Sequence, residues 1–399
     1  MNGMMTISIV GSAYKAHVVI DSIVNDRSSG GVRIAEDLSL EEVAALAREM
    51  SLKYATFRLP RGGAKAGISI AARVSPEEKD RILREVGSRL GPIIRAGLYS
   101  PGMDMNCGAD DLRAIYAGAG IALGKVTDTS FFTALSVENA LEACREELAC
   151  KGAVTVAIEG FGRVAGHLAA RLPREKYRIV AISTIRGAIR NRDGFDAAQL
   201  SAKRNEVGDE VVHHVDGEPI DSTEVFAEAA DVFLPSARTW VIDGKTAEAM
   251  AVKAVVPIAN APYGDGAVAR LHDRGIVCMP AFITNSGGVV ASSLHDRGVD
   301  AGEVAIMMKR YLQPLVSRLL RLSKTLSVCP TELAERVARK ELDARRQHPF
   351  VQGKLAKVRR RLQRYLPAFA RRHVAQRTFV ENLTALANEL ERTAREYNS

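Results

Sequence analysis

Two lysines twelve residues apart, Lys53 and Lys65, and a glycine-bounded aspartate, Asp104, are the residues of this chain best suited to moving protons. Lys65 stands in L-P-R-G-G-A-K-A-G-I from Leu59. Glycines let backbone close around a lysine, and the loss of water lowers its pKa towards neutrality, where an amine works as acid or base. Lys53, at the end of a predicted helix, is expected to stay charged. Asp104 lies in S-P-G-M-D-M-N-C-G from Ser100, a loop bounded by glycine and proline, where a carboxylate is either a turn cap or a catalytic group.

A second cluster is built for binding. In G-F-G-R-V-A, Gly160 gives a tight turn, Gly162 lets the backbone approach a pyrophosphate, and Ala165 replaces the usual third glycine. Arg163 and Val164 open the following helix, whose free N–H groups favour phosphate. The strand before and the helix after supply the context this motif requires. The next strand ends I-S-T-I-R, which places Ser183, Thr184 and Arg186 where an acid would hold an adenosine ribose 2′-hydroxyl. Hydroxyls with an arginine, and no acid, favour NADP over NAD as cofactor.

The elements that must position these groups can be read from periodicity. T-I-S-I-V at 6–10 and A-H-V-V-I at 16–20 read as strands. Ser39 and Glu42 form a capping-box pattern, and Val43, Leu46, Ala47 and Met50 recur at helical spacing up to Lys53. Y-A-T-F-R-L-P then predicts a strand, R-G-G-A-K-A-G a glycine-rich loop, and S-P-E-E from Ser75 a further helix with proline at its first position. From Lys151 the pattern becomes strand, glycine turn, helix, strand. D-V-F-L-P-S-A, A-V-V-P-I-A and G-I-V-C-M-P add buried strands, which together predict a doubly wound parallel sheet.

Composition sets the class. With 399 residues, 47% hydrophobic and 5% aromatic, the chain is globular and long enough for more than one domain. No apolar run reaches about 18 residues, and the first residues lack a basic-then-apolar leader, so a cytoplasmic protein with no membrane span is expected. Cys107, Cys144, Cys150, Cys278 and Cys329 are scattered, implying neither a disulfide framework nor a metal site. The net charge is +8, but from Arg336 to Arg377 fourteen Lys and Arg face two acids, a local +12 that leaves −4 for the remainder. V-R-R-R-L-Q-R-Y-L-P-A-F-A-R-R-H from Val358 interleaves these cations with Leu362, Tyr365, Leu366 and Phe369, as an amphipathic helix would. A solvated face or oligomer contact is the ordinary reading. Nucleic acid is not expected as a partner, since a basic tail carries no base readout.

Taken in order, from about Gly30 to Arg346, these segments resemble the glutamate/leucine/phenylalanine/valine dehydrogenase family. Pro60, Gly62, Gly63, Lys65 and Gly67 are similar to its P-x-G-G-x-K-x-G signature, and P-G-M-D-M from Pro101 to its aspartate loop. F-T-A from Phe132, I-A-N from Ile258 and N-S-G-G-V-V-A-S from Asn285 also have counterparts there.

The resemblance implies an α/β fold of two domains: an N-terminal substrate and oligomerisation domain (1–130 with 290–345) and a Rossmann-like doubly wound domain (131–289), followed by a basic helical C-terminal extension (346–399). It implies reversible NAD(P)-dependent oxidative deamination of an L-amino acid to a 2-oxo acid and ammonia, in a homo-oligomer. Lys53 would pair with the substrate α-carboxylate beside Gly31, Lys65 would activate water, and Asp104 would shuttle protons to the amino nitrogen. Thr133 would approach the nicotinamide amide, Ser236 and Asn260 the cofactor, and Asn285 both substrate and cofactor. Ala44, fourteen residues on from Gly30, falls where glutamate-specific members carry a lysine, which points to a neutral substrate side chain. Ser292 matches the serine of glutamate-specific members and points the other way. A neutral side chain is the preferred expectation and glutamate the alternative. A third is a cofactor-binding member with weak or lost activity and a partner-binding basic tail.

Overall fold

The β-branched runs near the start pair antiparallel as β1 (Met5–Val10) and β2 (Tyr14–Ile20), as expected from their alternation. With β3 (Ser28–Ala35), β4 (Gly62–Ile70) and β5 (Ser100–Met103) they form a five-stranded sheet in the order β1-β2-β4-β3-β5. β2 and β4 are antiparallel, while β3 runs parallel to both β4 and β5. This is a computed structural model and describes residues 4–124, 126–148, 152–347 and 367–397. The chain divides into two units, Met1–Thr127 with Ala338–Leu366, and Asp128–Val337 with Pro367–Ser399.

In the first unit, α1 (Leu40–Thr56) is capped by Ser39, whose hydroxyl accepts from the Glu42 N–H. α2 (Pro76–Arg95) is capped in the same way by Ser75, and α3 (Ala109–Gly118) packs on it. Side chains alternate across β4. Ala64, Ala66 and Ile68 enter a core with Ile82, Leu83 and Val86 of α2, and the odd positions face α1. A Cβ at Gly63 would stand 2.1 Å from Ser51 N, and one at Gly67 2.4 Å from Val43 Cγ2. The segment expected to be a glycine-rich loop is therefore a buried strand. Its glycines let α1 lie against the sheet, with Lys65 between two of them. The preceding Y-A-T-F-R-L-P is not a strand either: Tyr54, Ala55 and Thr56 complete α1, and Arg58 turns the chain at φ 48°.

The second unit opens with α4 (Ser130–Glu147). Its seven-stranded sheet has the order β12-β11-β10-β6-β7-β8-β9. β6 (Val154–Glu159), α5 (Arg163–Ala169) and β7 (Tyr177–Thr184) form the anticipated βαβ unit. β8 (Gly187–Arg190) and, after α6 (Ala197–Val207), β9 (Glu218–Ile220) extend that edge antiparallel. α7 (Glu224–Ala227) leads the chain back to β10 (Val232–Pro235) on the other side of β6. α8 (Gly244–Ala249), β11 (Ala254–Val255), α9 (Ala267–Asp273) and β12 (Val277–Cys278) then complete the parallel order. This is the doubly wound sheet, and the order in which strands are added reverses between the parallel neighbours β6 and β10.

α10 (Ala281–Thr284), α11 (Gly287–His295), α12 (Ala301–Met307) and α13 (Gln313–Leu326) follow, and α14 (Pro330–Gln347) starts at Pro330. Residues 290–337 group with the dinucleotide-type sheet rather than with the first unit as expected, because α13 buries Leu315, Val316, Leu319 and Leu320 in a helix layer it shares with α4. Only the end of α14 joins the first unit, where Arg58 pairs with Glu341 at 2.8 Å. The helix Ala368–Tyr397 is likewise part of the second unit. It packs on α13 and buries Phe379, Leu383, Leu386 and Leu390. The most basic stretch, including Leu362, Tyr365 and Leu366, lies outside the described residues. Among the described residues no helix is long and apolar enough to cross a membrane.

Candidate functional site

In the first unit, sheet register gathers four charged side chains on the face of the sheet covered by α1. Arg33 of β3 pairs with Gly67 of β4, so Gly31, Arg33, Gly63, Lys65 and Gly67 share one face. Asp104 follows β5 and accepts from Cys107 N through its carbonyl at 3.1 Å. Its carboxylate Oδ2 lies 2.7 Å from Lys65 Nζ and 3.0 Å from Arg33 Nε. Arg33 Nη1 reaches Glu42 of α1 at 3.1 Å. Gly31 is needed for this approach, since a Cβ there would be 2.7 Å from Asp104 Cβ.

Burial makes these contacts strong. Lys65 is 2% exposed, Arg33 2% and Lys53 4%. Desolvation lowers the pKa of Lys65, with the Asp104 charge opposing. Desolvation raises the Asp104 carboxyl, but the charges and hydrogen bonds of Lys65 and Arg33 outweigh it and hold the group well below the usual carboxylate range. Lys53, expected to remain an ordinary cation, is pushed down to about 8 by burial, with Glu49 opposing and Lys65 reinforcing. Arg33 stands in G-G-V-R from Gly30, and nothing local in the sequence assigns it a role. Its one signal was a charged residue in a strand next to glycines, and the acids it joins are distant in sequence.

Ala44 does not belong to this cluster. It precedes Lys53 by nine residues, two and a half helical turns, which places it on the opposite side of α1. There it packs on Val19, Val43 and Ala47. The inference about the substrate side chain drawn from Ala44 therefore loses its structural basis.

In the second unit, the dinucleotide turn sits at the β6/β10 switch. Gly160 adopts φ +82°, and a Cβ there would meet Ala237 Cβ at 2.5 Å. Gly162 caps α5, and a Cβ there would have no neighbour nearer than 4.0 Å, so this backbone face is open, as a pyrophosphate requires. Gly160 N donates to Ser183 Oγ at 3.2 Å, and Ser236 N donates to Glu159 O at 2.8 Å, which ties the ends of β7 and β10 to the turn. Arg163 is exposed and pairs with Asp128 at 3.4 Å, while Val164 is half-buried. Thr184 Oγ1 donates to Asp209 O at 2.7 Å, and Arg186 pairs with Glu210 at 3.0 Å. The acid missing from the end of β7 is thus approached from another segment, which sequence spacing could not show.

Asn285 is brought against Asn260. Its Nδ2 donates to Ile258 O, Ala259 O and Asn260 Oδ1 at 3.1, 3.0 and 3.1 Å. Its Oδ1 is buried without a partner. An orphaned buried acceptor of this kind fits a ligand donor such as an amide or ammonium. The next residues pack on α4: Gly287 N donates to Ser136 Oγ at 2.9 Å, and a Cβ at Gly288 would be 2.9 Å from Thr133 Oγ1. Ser292 is one helical turn beyond Gly288 and half-buried. Asn260 thus meets Asn285 just before α11 and Thr133 lies against its first turn, with Ser292 one turn further along the helix. Among the described residues no group of His, Cys, Asp or Glu could hold a metal ion.

Residues 120–324 match the family described as Glutamate/Leucine/Phenylalanine/Valine dehydrogenase, and residues 11–119 match the Glu/Leu/Phe/Val dehydrogenase dimerisation domain. The chain is 32% identical over 299 residues to a glutamate dehydrogenase of Thermotoga maritima, covering 70% of this chain and 71% of that protein. It is 30% identical over 280 residues to the NAD-specific glutamate dehydrogenase A of Halobacterium salinarum, covering 66% and 64%. Its fold is similar to that of a hetero-hexameric glutamate dehydrogenase from Thermus thermophilus, with a TM-score of 0.72 at 23% identity over 86% of this chain and 88% of that one. It is also similar to an L-tryptophan dehydrogenase from Nostoc punctiforme, with a TM-score of 0.58 at 19% identity over 85% and 96%.

Proposed function

Because the chain belongs to the Glutamate/Leucine/Phenylalanine/Valine dehydrogenase family, we propose that its pair of buried Lys65 and half-buried Asp104, with Lys53, carries out the reversible NAD(P)-dependent oxidative deamination of an L-amino acid. A bound nicotinamide dinucleotide supplies the hydride acceptor. Lys53, in its charged form, holds the substrate α-carboxylate. After hydride leaves Cα, the iminium carbon is attacked by water, and Lys65, its pKa lowered by burial, takes the proton that water gives up. Asp104 relays to the amino nitrogen the proton that Lys65 took up, ammonia departs, and the hydroxyl of the carbinolamine returns its proton to Lys65 as the 2-oxo acid forms. The depressed pKa of Asp104 suits this relay because the two groups are coupled: when Lys65 gives up its proton, the charge that holds Asp104 ionised is lost and the carboxylate becomes the better base.

A neutral substrate side chain is supported by charge balance. Arg33, Lys53 and Lys65 are set against Glu42, Glu49 and Asp104. One incoming α-carboxylate would share Lys53 with Glu49. A second, from glutamate, would meet cations already engaged with buried acids, at a cost of a few kcal/mol. Glutamate is the second reading, favoured by the glutamate dehydrogenase relatives and by Ser292, which matches the serine of glutamate-specific members. NADP is the preferred cofactor, supported by the Ser183 and Thr184 hydroxyls and nearby arginines. Assembly as a homo-oligomer is supported by the match to a dimerisation domain. A panel of 2-oxo acids with ammonia tests the specificity. The expected result is turnover of acids with neutral side chains and slow turnover of 2-oxoglutarate, and robust activity on 2-oxoglutarate alone would reverse the assignment.

A further inference from the structure

We propose that Arg204, on α6, is the side chain that selects NADPH over NADH by taking the 2′-phosphate of the adenosine ribose. This rests on the reading of the second unit as the dinucleotide-binding one. Neighbouring arginines are committed elsewhere: Arg186 to Glu210 at 3.0 Å, Arg190 to Glu218 and Glu228 at 2.8 and 3.3 Å, and Arg163 to Asp128 at 3.4 Å. Arg204 differs. Its Nε is buried with no hydrogen-bond partner, an expensive state for a guanidinium.

Its position explains what would complete it. The Arg204 stem lies over α5, with Cδ 3.4 Å from where a Cβ on Gly166 would be. Its charged neighbours are Asp209, which attracts it, and Arg163, which repels it. The main-chain carbonyl of Asp209 in turn accepts from the Thr184 hydroxyl at the end of β7. Arg204 is thus packed on α5 and linked through Asp209 to the end of β7, the two elements that flank the adenosine ribose in this type of fold. The planar fork of Arg204 matches a phosphate group, and its unpartnered Nε leaves it a donor to offer one.

Direct titration of the full-length protein with NADPH and NADH, followed by the fluorescence of the reduced nicotinamide, tests this. Wild type is expected to bind NADPH more tightly than NADH. Arg204→Gln should weaken NADPH by about tenfold or more and leave NADH within about twofold, and Arg204→Lys should keep part of the preference. Equal weakening of both cofactors in Arg204→Gln would make Arg204 a merely structural residue. An unchanged NADPH affinity, or a wild type that prefers NADH, overturns the proposal as well. Failure of wild type to bind either cofactor is a separate result, which removes the dinucleotide reading itself.

Discussion

Lys65 Nζ lies 2.7 Å from Asp104 Oδ2 with both groups desolvated, so the proton between them is a property of the pair. Asp104→Asn keeps the shape of the side chain and removes its charge and basicity. We expect kcat to fall by about 10²–10⁴ with the affinity for reduced cofactor unchanged, as measured by steady-state kinetics and fluorescence titration. A near-wild-type kcat would remove Asp104 from proton transfer.

Lys53 gives a pH signature. Its pKa of about 8 is set first by burial, and it binds a carboxylate only when protonated. The KM for a 2-oxo acid should rise about tenfold per pH unit above that value, with kcat little affected. Unfolding does not mimic this. Between about 8 and the unfolded lysine value, the unfolded chain holds more protons, so this group makes the fold more stable as pH rises through that window, by roughly 3 kcal/mol overall. A KM that stays flat through that range would show that Lys53 does not hold the substrate carboxylate.

Arg33 is predicted to matter for both stability and protonation. Arg33→Met leaves Glu42 and Asp104 buried without their shared cation, which should cost roughly 3–5 kcal/mol in urea unfolding. The Asp104 carboxyl should also titrate at higher pH, moving the acid limb of kcat/KM upward. A stable variant with an unshifted profile would contradict the network.

The two turn glycines separate fold from binding. Gly160→Ala forces a Cβ into a φ of +82° and against Ala237, and should destabilise by about 1–3 kcal/mol while weakening NADH and NADPH alike. Gly162→Ala meets open space, so its melting temperature should be unchanged while both cofactors bind more weakly. Loss of stability in Gly162→Ala would show that this glycine serves packing.

Ala44→Lys, on the side of α1 opposite Lys53, should not increase turnover of glutamate or 2-oxoglutarate. A large gain would restore Ala44 to the substrate pocket.

Local signals survived the move from sequence to structure wherever a single element decided them. Ser39 and Ser75 cap α1 and α2, and Gly160 and Gly162 form the turn between β6 and α5. Glycines misled where their cause lay in another element. Gly63 and Gly67 are small because α1 presses on β4, and no window around Lys65 contains that fact. Arg33 and Asp104 meet through the β3–β5 pairing and Glu42 reaches Arg33 from α1, while Ala44 was placed by counting residues when helical phase decides which side it occupies. The grouping of 290–337 with the second unit likewise follows from helix packing.

Deamination of an amino acid at the Lys65–Asp104 pair is tested most directly by the stoichiometry of reduced cofactor and ammonia formed from L-amino acids by wild type and by Lys65→Ala. Equal amounts of the two products from wild type, and loss of both in Lys65→Ala despite intact cofactor binding, are predicted. No ammonia from any amino acid with either NAD or NADP, or undiminished ammonia from Lys65→Ala, would contradict it.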